Sequence, residues 1–235
     1  MKVVILAGGK GSRLSEYTTS IPKPMVKVGN VPIITRIIDI YSKYGHNDFL
    51  IASGYKSKII ENYCKKNKKK MGHNNIKVIF TGKNSMTGGR IKRLEKHLKA
   101  ERFLMTYGDG LCNVDINKLL KFHIQSKNLV TLTAVRPPAR FGGIKISGKK
   151  VKYFKEKSSL DEGWINGGFF VMEPGIFKFL KNDSTILERQ PLENISKLKK
   201  LGAYKHYDSW QCMDTIRDKE ILEKKLKKLR IWKKE

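Results

Sequence analysis

The fold is decided by the stretch Lys2-Val3-Val4-Ile5-Leu6-Ala7-Gly8-Gly9-Lys10-Gly11-Ser12-Arg13-Leu14. Its apolar run has strand length and no polar interruption, which predicts a strand over 2–7 that is buried on both faces. The run passes directly into three glycines, whose missing Cβ atoms let backbone N–H groups come close to an anion. Arg13 and Lys23 add a forked and a compact positive charge to the same region. We therefore expect a buried first strand that leads into an anion-binding loop.

Beyond this loop, short apolar runs alternate with longer amphipathic stretches. Such alternation is typical of a mostly parallel sheet with helices on both faces. The periodicity predicts strands over 48–52, 76–80, 103–107 and 129–135, and helices over 33–44, 57–66, 89–99 and 115–126.

The second half of the chain has a different pattern, in which apolar runs are separated by turn residues. The runs 141–146, 151–156 and 165–172 predict a strand-rich extension of the same sheet. Helices over 175–180, 191–201 and 215–228 and a strand over 203–207 follow. The predicted fold class is α/β, as one three-layer α/β/α domain over 1–235 with a Rossmann-like, mixed and mostly parallel sheet.

The chain is strongly basic, with 49 Lys and Arg residues against 21 Asp and Glu and a formal net charge of +28. A basic surface favours anionic partners. Only ten of these residues are Arg, and they are neither clustered nor interleaved with aromatic residues as in proteins that bind nucleic acid. We therefore expect most lysines to be solvated and predict no nucleic-acid partner.

The cysteines and the apolar runs indicate the cellular setting. Cys64, Cys112 and Cys212 lie far apart and outside any metal-ligand spacing. The uninterrupted apolar runs have strand length, far short of the roughly 18–20 residues that cross a bilayer. We expect a cytoplasmic protein with neither a disulfide framework nor a membrane-inserted segment.

Six further motifs follow the glycine loop in a fixed order. They are Ser85-Met86-Thr87-Gly88-Gly89-Arg90, Thr106-Tyr107-Gly108-Asp109-Gly110, Phe141-Gly142, Glu156-Lys157, Ile165-Asn166-Gly167-Gly168-Phe169-Phe170 and Trp210-Gln211-Cys212-Met213-Asp214-Thr215. Together with the loop and Pro22-Lys23-Pro24, this series resembles the sugar-phosphate nucleotidylyltransferases over the whole chain. The motifs around Gly88 and Gly167 most resemble the branch that makes CDP-glucose from CTP and glucose 1-phosphate.

The resemblance implies a reaction and a division of labour. A sugar-phosphate oxygen attacks the α-phosphorus of CTP in line, and pyrophosphate leaves. Arg13 and Lys23 are implied as the catalytic cations, and Asp109 and Asp214 as ligands of Mg²⁺. The nucleotide is expected in the half of the chain at about 1–135 and the sugar phosphate in the half at about 136–235.

The resemblance also implies the binding residues for the two small-molecule substrates. The nucleotide-binding residues are expected to be Leu6, Ala7, Gly8, Gly9, Gly11, Ser12, Thr87, Gly88, Gly89, Tyr107 and Gly108. The sugar-phosphate-binding residues are expected to be Gly142, Glu156, Lys157, Asn166 and Gly167.

Two departures from the family pattern keep alternatives open. Only residues 81–85 separate the third predicted strand from Met86, where the family carries a longer segment that helps to build the oligomer, so the number of subunits stays open. Ser158 and Cys212 replace prolines of the family pattern. The same transfer with another nucleotide or another phosphate acceptor is the alternative within enzymes. A catalytically idle homologue that serves as a regulatory subunit is the alternative outside them.

Overall fold

The computed structural model describes residues 1–69, 71–137, 143–155 and 163–229. The strands are β1 (Lys2–Ala7), β2 (Lys27–Val28), β3 (Val31–Pro32), β4 (Asp48–Ser53), β5 (Asn75–Phe80), β6 (Phe103–Tyr107), β7 (Gly110–Cys112), β8 (Val130–Val135), β9 (Gly143–Ser147), β10 (Lys150–Lys155), β11 (Ile165–Asn166), β12 (Phe170–Met172), β13 (Leu201–Lys205) and β14 (Trp210–Cys212). The α-helices are α1 (Ser15–Thr18), α2 (Ile33–Ser42), α3 (Ser57–Lys66), α4 (Thr87–Arg93), α5 (Glu95–Leu98), α6 (Ile116–Ser126), α7 (Gln190–Lys197) and α8 (Ile216–Leu229). Short 3₁₀ helices cover Ser12–Leu14, Lys23–Met25 and Pro174–Phe179.

The central sheet is mixed and mostly parallel, which confirms the predicted fold class. From one side to the other its strands are β5, β4, β1, β6, β12, β8 and β13, with β11 beside the far end of β8. The strands β1, β4, β5 and β6 run parallel, as do β8 and β13. The strand β12 is antiparallel to both of its neighbours.

The first strand lies inside the sheet and has a core on each face. Val3 and Ile5 belong to the core under α2, whereas Val4 and Leu6 belong to the core on the α4, α5 and α7 side. Val3, Val4 and Ile5 are fully buried. An uninterrupted apolar run is what a strand with helices on both faces requires. The three-layer arrangement places the end of β1, and the glycines after it, at the carboxyl ends of the parallel strands.

Two predictions about the second half of the chain are wrong. Within the described residues 143–155, β9 and β10 pair with each other as a separate ribbon and do not extend the central sheet. The single strand expected over 165–172 is split into β11 and β12, because Gly168 and Phe169 both have positive φ. Gly167 lies against Thr133 and Val135 of β8, where a Cβ would have no room. The residues between β11 and β12 therefore form a tight turn that packs against β8.

The helix expected over 89–99 also differs from the structure. It begins earlier, at Thr87, and is divided at Leu94 into α4 and α5. Within the described ranges, no helix combines the length and the apolar content that a membrane crossing demands.

Candidate active site

Two short strands bring together carboxylates that are distant in the sequence. Strands β7 and β14 pair antiparallel, with Gly110 opposite Cys212. Asp109 directly precedes β7, and Asp214 follows β14 after one residue. The backbone N–H of Met213 donates to the carbonyl of Asp109 at 2.8 Å and closes this end of the ladder. The pairing places both carboxylates at the same end of the two strands.

The ammonium group of Lys23 lies between these two carboxylates. Its Nζ is 2.6 Å from Asp109 Oδ2 and 2.7 Å from Asp214 Oδ1. The side chain is only 12% exposed. Burial by itself would lower the pKa of Lys23, but the charges and hydrogen bonds of the two carboxylates outweigh it, so the pKa is raised above its ordinary value. Lys23 is therefore charged at neutral pH and is held in one position.

Arg13 joins the same group from the glycine loop. Its Nη1 lies 2.9 Å from Asp214 Oδ2, while its side chain is 74% exposed. Gly11 precedes it with a φ of +66°, and a Cβ at Gly11 would lie 3.0 Å from both Lys23 Cβ and Thr18 Cγ2. Glycine therefore allows the loop to fold against Lys23. The structure brings the four residues predicted for catalysis and metal binding into one cluster.

The other residues predicted to bind the nucleotide from the glycine loop lie at the end of β1 and beside Gly108. The N–H of Gly108 donates to the carbonyl of Leu6 at 2.9 Å, and a Cβ at Gly108 would crowd that oxygen and Pro24. Ala7 ends β1 and is buried. A Cβ at Gly9 would meet no atom within 4 Å, so the space beside this glycine is open. Ser12 begins the 3₁₀ turn that carries Arg13.

Arg90 fixes the start of this loop from behind, a role that no sequence prediction assigned to it. Its buried guanidinium donates to the carbonyls of Gly8 at 2.9 Å, Gly82 at 2.8 Å and Ser53 at 3.2 Å. A Cβ at Gly8 would overlap the guanidinium. The residue belongs to the motif around Met86. Its burial could not be predicted from the sequence, because a lone arginine in a polar stretch is normally solvated.

Gly88 and Gly89 lie at the start of α4 and face the segment 183–185. A Cβ at Gly89 would overlap the backbone of Asp183, and one at Gly88 would lie 2.9 Å from the carbonyl oxygen of Thr185. The backbone N–H groups of Met86 and Gly89 donate to Asp183 and Thr185 at 2.8 and 3.1 Å. These glycines therefore allow the backbone of α4 to pack closely against the backbone of 183–185. This structural role is additional to the nucleotide contact predicted for them.

The side chains of Thr87 and Tyr107 meet at Glu188, which sequence reasoning did not find. Thr87 Oγ1 and Tyr107 Oη each donate to Glu188 at 2.6 Å. Asn166 Nδ2 donates to Tyr107 Oη at 3.2 Å. Gly167, the next residue, accepts a hydrogen bond of 2.8 Å from the indole of Trp210. Predicted nucleotide-binding and sugar-binding residues are thus connected, while Gly142, Glu156 and Lys157 lie outside the described residues.

The donor set around Lys23 fits Mg²⁺ that is bound together with phosphate groups. Asp109 and Asp214 reach the same ammonium nitrogen and can therefore approach one cation. The described ranges contain no cluster of three or more acidic, His or Cys side chains that would suit a metal. Mg²⁺ is usually held by one or two carboxylates, with substrate phosphates and water completing its octahedron. Burial, followed by the nearby carboxylates, raises the pKa of Cys212 to about 12. Mg²⁺ prefers oxygen ligands, so the thiol is not counted among the residues that would hold it.

Comparison with known proteins decides the family. The nucleotidyl transferase family model matches residues 2–215, a span that includes all four residues of the cluster. The chain belongs to the nucleotidyl transferase family. This confirms the resemblance inferred from the ordered motifs.

Relatives within this family match along nearly the whole chain. The chain is 42% identical, over an alignment of 243 positions, to the glucose-1-phosphate cytidylyltransferase of Salmonella typhi. The match covers 95% of each protein. The glucose-1-phosphate cytidylyltransferase of Salmonella typhimurium has the same identity and coverage. The fold is similar to that of HddC from Yersinia pseudotuberculosis complexed with GMP-PN, with a TM-score of 0.74, 24% identity and coverage of 96% of this chain and 99% of that one.

Proposed function

We propose that this nucleotidyl transferase makes CDP-glucose and pyrophosphate from CTP and α-D-glucose 1-phosphate. The observation that carries the proposal is the position of the Lys23 ammonium between Asp109 and Asp214, with Arg13 beside them. The choice of substrates is supported by the 42% identical relatives named as glucose-1-phosphate cytidylyltransferases.

The chemistry asks the protein for position and charge more than for covalent catalysis. An oxygen of the sugar phosphate forms a bond to the α-phosphorus of CTP, and the bond from that phosphorus to the pyrophosphate oxygen breaks. The attacking oxygen is already ionised at neutral pH, so the step needs no general base. Catalysis then depends on holding two polyanions in line and neutralising the charge that develops.

Lys23 and Arg13 supply this positive charge in two different ways. Lys23 is partly buried and is fixed by two carboxylates, which suits a point charge between the α-phosphate and the incoming phosphate. Arg13 makes its ion pair with Asp214 while most of its side chain is exposed. Its planar fork suits the β- and γ-phosphates and the departing pyrophosphate.

Asp109 and Asp214 are the residues that would hold Mg²⁺, and the bound ion would supply further neutralisation of the phosphate charge. The glycine loop contributes backbone N–H groups and open space beside Gly9. On the sugar side, Asn166 is oriented by its bond to Tyr107 and by the N–H of Gly168, which donates to Asn166 Oδ1 at 2.9 Å. Glu156 and Lys157 complete the proposed sugar-phosphate site.

A substrate panel tests the proposal directly. Pyrophosphate release is measured for each of the four ribonucleoside triphosphates against glucose 1-phosphate, other hexose 1-phosphates and a non-sugar phosphate, with Mg²⁺ and with a chelator. We expect the largest kcat/KM for CTP with glucose 1-phosphate. A larger value for another pair would reassign the substrate. Absence of release with every pair would overturn the function and favour an idle homologue.

A further inference from the structure

Glu188 is an exposed carboxylate that joins two parts of the site. One oxygen, Oε1, accepts the hydroxyl of Tyr107 at 2.6 Å, and the other, Oε2, accepts the hydroxyl of Thr87 at 2.6 Å. Thr87 starts α4 on the predicted nucleotide side. Tyr107 ends β6 and contacts Asn166 on the predicted sugar side. The residue is therefore placed where the two substrates are expected to adjoin.

The hydrogen bonds to Glu188 determine where the hydroxyls of Thr87 and Tyr107 direct their protons. A hydroxyl has one proton, and in each case Glu188 accepts it. The hydroxyl oxygen of Tyr107 also accepts from Asn166 Nδ2, and that of Thr87 accepts from the N–H of Leu187 at 2.9 Å. Toward any further group, Thr87, Tyr107 and Glu188 offer only lone pairs.

The carboxylate is also held firmly. Residues 183–188 are fixed to α4 by the backbone bonds from Met86 and Gly89, and by the bond from the N–H of Leu187 to the Thr87 hydroxyl. A site whose polar groups are fixed in advance discriminates between substrates better than one that can rearrange. This acceptor-only group, Thr87, Tyr107 and Glu188, therefore has both a defined polarity and a defined position.

We propose that Glu188 recognises a hydrogen-bond donor on one of the substrates and rejects an acceptor at the same place. Two donors have this chemistry: the exocyclic amine of cytosine and a hydroxyl of the sugar. Uracil presents a carbonyl oxygen where cytosine presents its amine, so it would place one acceptor against another. A deoxy sugar would leave the carboxylate without its partner. The inference rests on the proposed function, because it assigns a specificity-determining residue of that same site.

The variant Glu188→Gln tests this with little change in shape, because the amide replaces one acceptor oxygen by an NH₂ donor. Affinities for CTP and UTP are measured by calorimetry without the second substrate. The ratios of kcat/KM are measured for CTP over UTP, and for glucose 1-phosphate over its deoxy analogues. Glu193→Gln, which makes the same change at an exposed site on α7, is the control and should leave every ratio unaltered.

Recognition of the base predicts that the preference for CTP over UTP falls about tenfold or more in Glu188→Gln, in binding and in turnover. Recognition of the sugar predicts that this preference stays constant, while the preference for glucose 1-phosphate over one deoxy analogue falls by a similar factor. If both preferences stay within about twofold of wild type, Glu188 has only a structural role and the inference is wrong. These are ratios, so a loss of folded protein does not imitate either result.

The two hypotheses fail in different ways. Absence of pyrophosphate release by the wild-type protein would overturn the proposed function. In that case, calorimetry with CTP and UTP, and with glucose 1-phosphate and its deoxy analogues, would still test the inference, and equal effects of Glu188→Gln within both comparisons would refute it.

Discussion

Replacing Lys23 by Met would leave Asp109 and Asp214 facing each other without the ammonium between them. The two ion pairs, at 2.6 and 2.7 Å, are each worth about 6 kcal/mol of Coulomb energy at an effective dielectric constant of about 20. Most of this is offset by the desolvation of a lysine that is 12% exposed. We expect a net loss of about 2 kcal/mol in the free energy of unfolding. For a chain of this size, that corresponds to a fall of about 4–8 °C in Tm.

The expected loss of activity is much larger than this loss of stability can explain. A protein with a normal margin stays folded at 25 °C after losing about 2 kcal/mol. The variant would nevertheless lack a fixed positive charge at the reacting phosphates, and removal of one such group typically costs about 10²–10³ in kcat. Lys27→Met, which removes an exposed lysine of β2, is the control and should change neither Tm nor turnover appreciably.

A second substitution separates the two effects. In Lys23→Met/Asp109→Asn, the repulsion between the carboxylates is removed, so we expect the unfolding free energy to recover by about 1 kcal/mol relative to Lys23→Met. Turnover should not recover, because the double variant lacks both a cation and a proposed metal ligand. The assays are thermal melting by circular dichroism and pyrophosphate release. Turnover of Lys23→Met within about threefold of wild type, or a double variant less stable than the single one, would refute the reasoning.

Two further predictions concern the framework of the site. Burial lowers the pKa of His123 despite the opposing pull of Glu173, so the unfolded chain binds this proton more tightly than the folded one; stability should be complete above about pH 6.5 and fall as the pH drops below it. His123→Gln should flatten this decline in urea titrations between about pH 7 and 5, and an unchanged slope would contradict the assignment. Gly8→Ala should displace Arg90 and lower Tm by about 5 °C or more, whereas Gly9→Ala, with open space, should lower it by about 1 °C; equal shifts would argue against the role of Arg90.

The sequence predicts those parts of the fold that depend on local pattern. The strand over 2–7 is found at those bounds, because an apolar run between two cores carries its own signal. The helix over 57–66 also agrees, since its apolar residues recur at helical spacing. By contrast, the pattern over 141–146 and 151–156 predicts an extension of the central sheet, whereas the described residues 143–155 form a separate two-stranded ribbon. Alternation along a strand indicates that it pairs, but does not say with which partner.

The site could be predicted only in part, and for a similar reason. Arg13 and Lys23 stand close to the glycines in sequence, so their charge could be assigned to the loop from spacing. The meeting of Asp109 with Asp214 depends on β7 and β14, which are three residues each and too short for any periodic signal. Glu188 lies between regular elements, in a polar stretch where a glutamate is normally solvated. Its role becomes visible only when Thr87 and Tyr107 are seen beside it.

The balance of charge within the cluster gives a reason why its four residues are not sufficient for the transfer. Two cations, Arg13 and Lys23, are matched by two carboxylates, Asp109 and Asp214, although the chain as a whole carries +28. The overall charge can draw polyanions toward the surface, but long-range attraction does not hold two of them in line. A triphosphate and a phosphate monoester that meet at a locally balanced cluster still repel each other. Additional positive charge is therefore required at the moment of transfer. The two carboxylates are the part of the cluster able to bind it as a divalent cation, and Lys157 is the proposed source on the sugar side.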